Sequence, residues 1–193
     1  MGFLGPGDLE PHINHARGFA AAYATLRRPE PSTVLDLGAG GGIPGLVLFD
    51  AWPEAQFLLL DGSEKRCKFL SWAADELGAG DRTTVLCGRA EDLAHRTDLR
   101  ESVSLVVARS FGAPAVLAEC AAGFLAENGA LVVSEPPDED LTSRWPSDGL
   151  AKLGFSPANG VFEGSHYAVV VRTQPCPSQY PRRVGVPTKR PLF

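Results

Sequence analysis

The chain has 193 residues, of which 44% are hydrophobic and 21% charged, and its formal net charge is −5. This length and composition are typical of one soluble domain with a buried core. Residues 172–193 carry five bases and no acids, which leaves 13 bases and 23 acids in the preceding 171 residues. So acidic a body excludes a protein that coats nucleic acid regardless of sequence, because phosphate attraction drives that kind of binding.

Cysteine spacing and the lengths of apolar runs exclude two further classes of protein. The cysteines at positions 67, 87, 120 and 176 form no CxxC pair of the kind that holds zinc or exchanges thiols. No apolar run reaches the roughly 18 residues of a membrane-spanning helix, and the N-terminus lacks the pattern of a signal peptide. We therefore expect a cytoplasmic protein with reduced cysteines, no metal site, and no membrane or DNA partner.

The predicted elements alternate between helix and strand along the chain. An alanine-rich helix over 12–27 is separated by prolines from a buried strand over 33–37. Further strands are predicted at 56–60, 83–87, 103–108 and 130–134, and helices at 64–77, 113–125 and 145–153. Strands at 161–162 and 167–171 form an antiparallel hairpin. The sequence thus predicts an α/β fold, with a mostly parallel seven-stranded sheet, helices on both faces and one antiparallel hairpin strand.

A glycine-rich loop follows the first strand directly, in the segment Asp36-Leu-Gly-Ala-Gly-Gly-Gly-Ile-Pro-Gly45. Glycines at 38, 40 and 42 let the backbone turn tightly and approach a ligand that a Cβ would exclude. Pro44 suits the first turn of a helix, which we expect to follow the loop. The loop therefore predicts a nucleotide-cofactor site.

Two cofactor classes use a loop in this position. Residues 40–45 satisfy the GxGxxG pattern of dinucleotide-binding folds, which by itself is a weak signal. The acid on the strand, in Asp36-x-Gly38-x-Gly40-x-Gly42, instead resembles motif I of the class I methyltransferases, which have a Rossmann-like fold and bind S-adenosylmethionine. Asp61 ends the second strand, where its carboxylate accepts the ribose hydroxyls of either cofactor. Because the chain leaves little room for a separate substrate domain, we favour a methyltransferase over a dehydrogenase.

Two segments after later strands complete the predicted cofactor site. Gly88-Arg-Ala-Glu-Asp92 follows the third strand, where the backbone of Ala90 and the carboxylate of Glu91 are placed to read the adenine amino group. The alternative for this segment is a solvated charged turn. Arg109 follows the fourth strand at the carboxyl edge of the sheet, and we expect it to pair with the methionine carboxylate or with a substrate phosphate. A surface arginine is the alternative there.

Five segments together resemble one protein family. They are VLDLGAGGGIPGL (34–46), LLDGSEKRCKFL (59–70), GRAEDL (88–93), VVARSFGAPAVLAE (106–119) and PRRVGVPTKRPL (181–192). In order and content they resemble RsmG, also called GidB, the family of 16S ribosomal RNA guanine-N7 methyltransferases. The resemblance implies S-adenosylmethionine as cofactor, with contacts at Gly38, Ile43, Ala90, Glu91 and Arg109. It also implies that the proline-rich tail is a fixed, extended segment lying against the sheet.

The chain departs from the RsmG pattern in two places. Only 32 residues precede the first strand, whereas the family usually has a longer helical region there, so we expect a shortened N-terminal cap over residues 1–31. After the fifth strand the family tends to have Lys-Gly, and this chain has Ser134-Glu135. An anion in place of a cation disfavours a phosphate backbone beside the substrate pocket.

We therefore consider two substrates for a single methyltransferase domain spanning residues 1–193, with residues 172–193 as its basic tail. The first is a guanine in 16S ribosomal RNA or the small ribosomal subunit, with phosphates held by the tail residues Arg182, Arg183, Lys189 and Arg190 and a base stacked on Phe111 or Tyr180. Guanine N7 needs no general base, so no catalytic residue is predicted beyond the candidate Arg109. The second is a small molecule, in a compact pocket lined by Glu135, His12, His15 or His166.

Overall fold

A computed structural model of the chain describes residues 7–137 and 139–193. Its strands are β1 (Thr33–Leu37), β2 (Gln56–Asp61), β3 (Thr83–Cys87), β4 (Val103–Ala108), β5 (Leu125–Glu135), β6 (Asn159–Phe162) and β7 (His166–Val171). They form one sheet in the order β3-β2-β1-β4-β5-β7-β6. Neighbours from β3 to β5 are parallel, and β7 is antiparallel to both β5 and β6. The predicted seven-stranded sheet with one antiparallel strand is confirmed.

Helices cover both faces of the sheet, as predicted. They are α1 (Glu10–Ala24), α2 (Glu64–Glu76), α3 (Ala90–Leu93), α4 (Pro114–Ala122), α5 (Leu141–Arg144), α6 (Ser147–Ala151) and α7 (Val186–Lys189). Side chains alternate between the faces along β1, where Leu35 and Leu37 face the layer that contains α4 and α6 while Val34 faces α1 and α2. Among residues 7–137 and 139–193, no helix is both long and apolar enough to cross a membrane.

Three predicted helices differ from the structure. The glycine loop is followed by turns and one 3₁₀ turn at Val47–Phe49, so the helix expected after Pro44 is absent. The helix predicted over 145–153 is shorter, α6 at Ser147–Ala151, and it is separated from α5 because Pro146 disfavours helical geometry at the residue before it. The helix predicted over 113–125 ends at Ala122, and β5 begins three residues later, at Leu125, which is five residues earlier than expected.

The C-terminal tail starts with backbone hydrogen bonds from Arg172 to β5, and from residue 181 onward it is held by contacts with α3, α4 and the turn after α3. His95 Nε2 lies 2.7 Å from the carbonyl of Pro181, and the carboxylate of Glu119 on α4 accepts three hydrogen bonds from Arg182. Residues 186–189 form one helical turn with Pro187 near its start, so the tail is not extended throughout. Arg172, counted with the basic tail, is buried and paired with Glu101 at 2.9 Å.

Candidate active site

The glycine loop folds back over the end of β2. Gly38 and Ala39 donate their N–H groups to the carbonyl of Leu60 at 2.9 and 2.8 Å. Gly38 and Gly40 have φ values of +78° and +56°, a conformation that favours glycine. A Cβ at Gly38 would lie 2.6 Å from the ring of Phe111, so this position requires glycine for space as well. The loop is thereby held at the carboxyl edge of the sheet, where the strand order reverses between β1 and β4.

Asp36 lies beneath this loop and shapes it from below. Its side chain is only 1% exposed, and Oδ2 accepts the N–H of Gly45 at 2.7 Å. Burial raises the pKa of Asp36 to about 7, although the N–H of Gly45 and the charge of Arg109 oppose the shift. Asp36 thus positions the loop through Gly45, and its contact with a cofactor stays a prediction.

Asp61 joins the loop to the start of α2. Oδ2 accepts the N–H of Gly40 at 2.9 Å, and Oδ1 accepts the N–H of Ser63 at 2.8 Å. Arg66 lies 3.5 Å from Oδ2. Each carboxylate oxygen has two acceptor sites, so Asp61 retains capacity for ribose hydroxyls while it fixes the loop.

A cavity of about 140 Å³ opens between the glycine loop and the segment after β3. Its lining includes Gly38, Gly62, Ala90, Glu91 and Phe111. Because glycine has no side chain, the cavity has room next to the backbone for a flat, ring-shaped ligand. The structure therefore brings Gly38 together with the two residues predicted to read adenine.

Glu91 has a second partner that the sequence did not suggest. Its Oε1 accepts the N–H of Gly185 in the tail at 3.1 Å and contacts Arg89 Nη2 at 3.3 Å. Burial raises the pKa of Glu91, but these hydrogen bonds and the positive charge of Arg89 outweigh it and lower the pKa overall. Thr188, also in the tail, lines the same cavity. The tail thus supplies part of the wall of the predicted adenosine pocket.

A larger cavity of about 280 Å³ lies beside the first, at the ends of β4 and β5. Phe111 lines both cavities and separates them. The larger cavity is also lined by His15 of α1, Glu135 at the end of β5, and Arg144 and Trp145 beside α5. The first cavity lies beside the glycine loop, and the second lies next to it along the same edge of the sheet. This arrangement suits a cofactor and its substrate.

Arg109 contacts α1 from the end of β4. Its Nη2 donates to His12 Nδ1 at 3.4 Å. His15, one turn farther along α1, packs against Phe19 and Tyr167 with ring centroids 5.6 Å apart in each pair. Burial, Arg109 and His12 all lower the pKa of His15, which favours its neutral form at pH 7. His15 thus lines the larger cavity and His12 lies beside Arg109, while the roles of His12 and Arg109 stay predictions.

Glu135 is compensated by a cation that the sequence analysis did not identify. Arg144 Nε lies 2.6 Å from Glu135 Oε2, and Arg144 Nη1 lies 2.6 Å from Glu139 Oε2. The side chain of Glu135 is 6% exposed, so this pair is largely removed from water. The anion therefore carries less repulsion for phosphate than its sequence position suggested.

The tail bases fall into two groups. Arg182 is held by Glu119, whose carboxylate accepts Nε at 2.8 Å and Nη2 at 2.6 Å. This geometry favours a structural role for Arg182, and contact with phosphate stays a prediction. Arg183, Lys189 and Arg190 are exposed, and no side chain in the described part of the protein pairs with theirs. These three bases are free to meet phosphate.

Some predicted residues lie away from both cavities, and some lining residues were missed. Ile43 lines a separate groove with residues of α1, and His166 lies with Phe162 on the hairpin. Tyr180, one of two predicted stacking residues, is buried in the core. Missed residues are Arg89, Arg144, Trp145 and Thr188. Arg89 and Thr188 sit within the recognised GRAEDL and PRRVGVPTKRPL segments, whereas Arg144 and Trp145 reach the site only through tertiary packing.

The chain matches a family of known proteins. Residues 15–136 match the family model GidB, described as rRNA small subunit methyltransferase G. The chain belongs to this family. Its curated relatives include ribosomal RNA small subunit methyltransferase G of Lactococcus lactis subsp. cremoris, 32% identical over 84% of this chain and 71% of the relative. The corresponding protein of a Synechococcus strain is 34% identical over 86% of this chain and 73% of the relative.

Solved structures support the fold of this GidB-family member. An O-methyltransferase from Thermotoga maritima superimposes with a TM-score of 0.62 at 14% identity, covering 82% of this chain and 65% of the other. The O-methyltransferase TomG from Streptomyces achromogenes, in complex with S-adenosylmethionine, gives a TM-score of 0.58 at 14% identity over 83% of this chain and 80% of its own. The class I methyltransferase fold expected from the sequence is confirmed.

Proposed function

We propose that the protein transfers a methyl group from S-adenosylmethionine to N7 of a guanine in 16S ribosomal RNA, in the cytoplasm. The observation that carries this proposal is the family match over residues 15–136, together with relatives named for small-subunit ribosomal RNA. Two adjoining cavities at the carboxyl edge of the sheet support it, since their positions suit a cofactor and its substrate.

The residues in and beside the smaller cavity are of the kinds that S-adenosylmethionine requires. Gly38 and Gly40 offer a backbone that a ligand can approach closely, Asp61 offers acceptor capacity for ribose hydroxyls, and Ala90 and Glu91 line the predicted adenine end. We assign the methionine carboxylate to Arg109, which directly follows β4 at the carboxyl edge of the sheet. When bound, S-adenosylmethionine supplies a sulfonium methyl group that is open to attack by a lone pair.

Catalysis then depends on alignment rather than on proton transfer. Guanine N7 carries a lone pair at neutral pH, so the new bond from N7 to the methyl carbon forms as the bond from sulfur breaks, without a general base. The chain contributes by holding the two reactants in line and by excluding water. Phe111, which lines both cavities, is placed to pack against the base.

Phosphate contacts would come from the exposed bases of the tail. Arg183, Lys189 and Arg190 project from a segment that is itself clamped to α3 and α4. A fixed basic segment beside an acidic body provides local attraction for RNA without general adhesion to it.

Methyl transfer to small-subunit RNA tests the proposal. The protein is incubated with labelled S-adenosylmethionine and, in parallel, with 16S RNA, small subunits from a strain lacking the modification, and a metabolite extract. We expect label in the RNA, recovered as 7-methylguanosine after digestion. Gly38→Ala is the negative control and should transfer little or no label, because its Cβ would lie 2.6 Å from the ring of Phe111. If label appears only in the metabolite fraction, the substrate is a small molecule and the proposed RNA substrate is wrong.

A further inference from the structure

The larger cavity contains polar groups whose partners are missing. In the described part of the chain, His15 Nδ1 and Trp145 Nε1 are the buried side-chain nitrogen or oxygen atoms without a hydrogen-bond partner. Both residues line this cavity, and Trp145 is only 2% exposed. Leaving a buried donor or acceptor unpaired is unfavourable, so such atoms call for a ligand or water as partner.

The sheet sets where this cavity lies relative to the cofactor. The glycine loop follows β1, Phe111 follows β4 and Glu135 ends β5, and these are three adjacent strands. With neighbouring strands about 4.8 Å apart, Glu135 lies roughly 10 Å across the sheet from the loop. Phe111 lies between them, so a flat base packed on Phe111 would have one edge toward the cofactor and the opposite edge toward Glu135.

We infer that Glu135 accepts hydrogen bonds from N1–H and N2–H of the guanine to be methylated. This inference rests on the proposed function and names the residue that selects its base. In guanine, the N2 amino group lies diagonally across the ring system from N7, and N1 is next to it. When N7 faces the cofactor, these two donors therefore face Glu135.

A carboxylate pairs better with the N1 and N2 edge of guanine than with the corresponding edge of any other base. It has only acceptors to offer, and guanine presents two adjacent donors. Adenine has an acceptor at N1 and no amino group at C2, so it would leave the carboxylate repelled at one atom and unpaired at another. Arg144 holds Glu135 from one side through Oε2, and no described residue is recorded as a partner of Oε1. Glu135, which disfavours phosphate in place of the family's Lys-Gly, thus favours guanine.

The test compares guanosine with inosine, which lacks the N2 amino group, at the target position of a synthetic RNA. Losing one hydrogen bond to a carboxylate should lower kcat/KM of the wild-type protein for inosine by about tenfold or more. In Glu135→Gln the amide N–H₂ opposes the N2 donors of guanine. The ratio of kcat/KM for guanosine to kcat/KM for inosine should therefore fall to about threefold or less. An unchanged ratio would mean that Glu135 only anchors Arg144.

Glu139→Gln is the matched control. Glu139 pairs with the same arginine at the same 2.6 Å distance, but its side chain is 48% exposed. This variant should retain the wild-type preference for guanosine. If it loses the preference as fully as Glu135→Gln does, base selection belongs to Arg144 and the inference is overturned.

A binding measurement separates this inference from the proposed function. If wild-type protein methylates no RNA, the proposed function fails, but the pocket can still be tested with nucleotides alone. The indole N–H resonance of Trp145, assigned with Trp145→Phe, should shift with guanosine monophosphate at lower concentration than with inosine or adenosine monophosphate. Equal half-saturation by all three nucleotides would overturn the assignment of Glu135.

Discussion

Replacing Arg182 by alanine separates a structural role of the tail from an RNA-binding role. Glu119 is completely buried, and Arg182 supplies its only recorded ion pair in the described chain. Removing one partner of a buried pair typically costs about 3–5 kcal/mol, because the other charge is left unpaired. The backbone N–H of residue 182 would still reach Glu119, and Arg182 itself is 26% exposed, so we expect a loss of about 2–4 kcal/mol.

Thermal and urea unfolding measure this loss. For a chain of this size it corresponds to a fall in Tm of roughly 5–15 °C. Arg183→Ala is the control, because the neighbouring side chain is exposed and its loss should change stability by no more than about 0.5 kcal/mol. Replacing both partners, as in Glu119→Leu with Arg182→Met, should recover most of the loss. Equal stability of Arg182→Ala and the wild-type protein would refute the clamp and return Arg182 to the phosphate-binding group.

Three further predictions concern the loop, the cofactor and the RNA. Because the pKa of Asp36 rises from 3.8 to about 7 on folding, the folded protein binds a proton more tightly, and its stability falls as pH rises through this window. In urea unfolding, the advantage of Asp36→Asn over wild type should grow by roughly 3–4 kcal/mol between pH 4 and pH 7, and a pH-independent difference would contradict this account. Asp61→Ala should weaken S-adenosylmethionine binding by about 1–3 kcal/mol in calorimetry, whereas Glu76→Ala, exposed at the end of α2, should not; equal affinities would remove Asp61 from the ribose site. A triple alanine variant at Arg183, Lys189 and Arg190 should reduce the slope of log K for RNA against log salt by about 2, with cofactor affinity unchanged, and an intact slope would place the phosphate contacts elsewhere.

The strands and the glycine loop could be predicted because their signals are local. Four strands ending in Leu37, Asp61, Cys87 and Ala108 were predicted within one residue, since each is a short apolar run bounded by polar or turn-forming residues. The loop was recognisable because positive φ values at Gly38 and Gly40 restrict those positions to glycine. Helix boundaries were less accurate, because Pro44 and Pro146 each fit more than one local structure.

The pairing of charges could not be predicted in the same way. Glu135 seemed an unfavourable anion until α5 placed Arg144 against it, nine residues later in the chain. Glu119 and Arg182 are 63 positions apart, and Glu91 and Gly185 are 94 apart, so no local pattern joins them. Long-range pairs of this kind depend on which helix surfaces meet, and that is settled by packing across the whole sheet.

The sequence by itself determined the sheet, the glycine loop and the family, because each depends on residue types at short, regular spacing. Only the tertiary structure decided that the basic tail is divided, with Arg182 held inside by Glu119 and Arg183 left exposed beside it. The physical reason is that a buried carboxylate requires a partner, and the fold carries the tail across α4 to supply one.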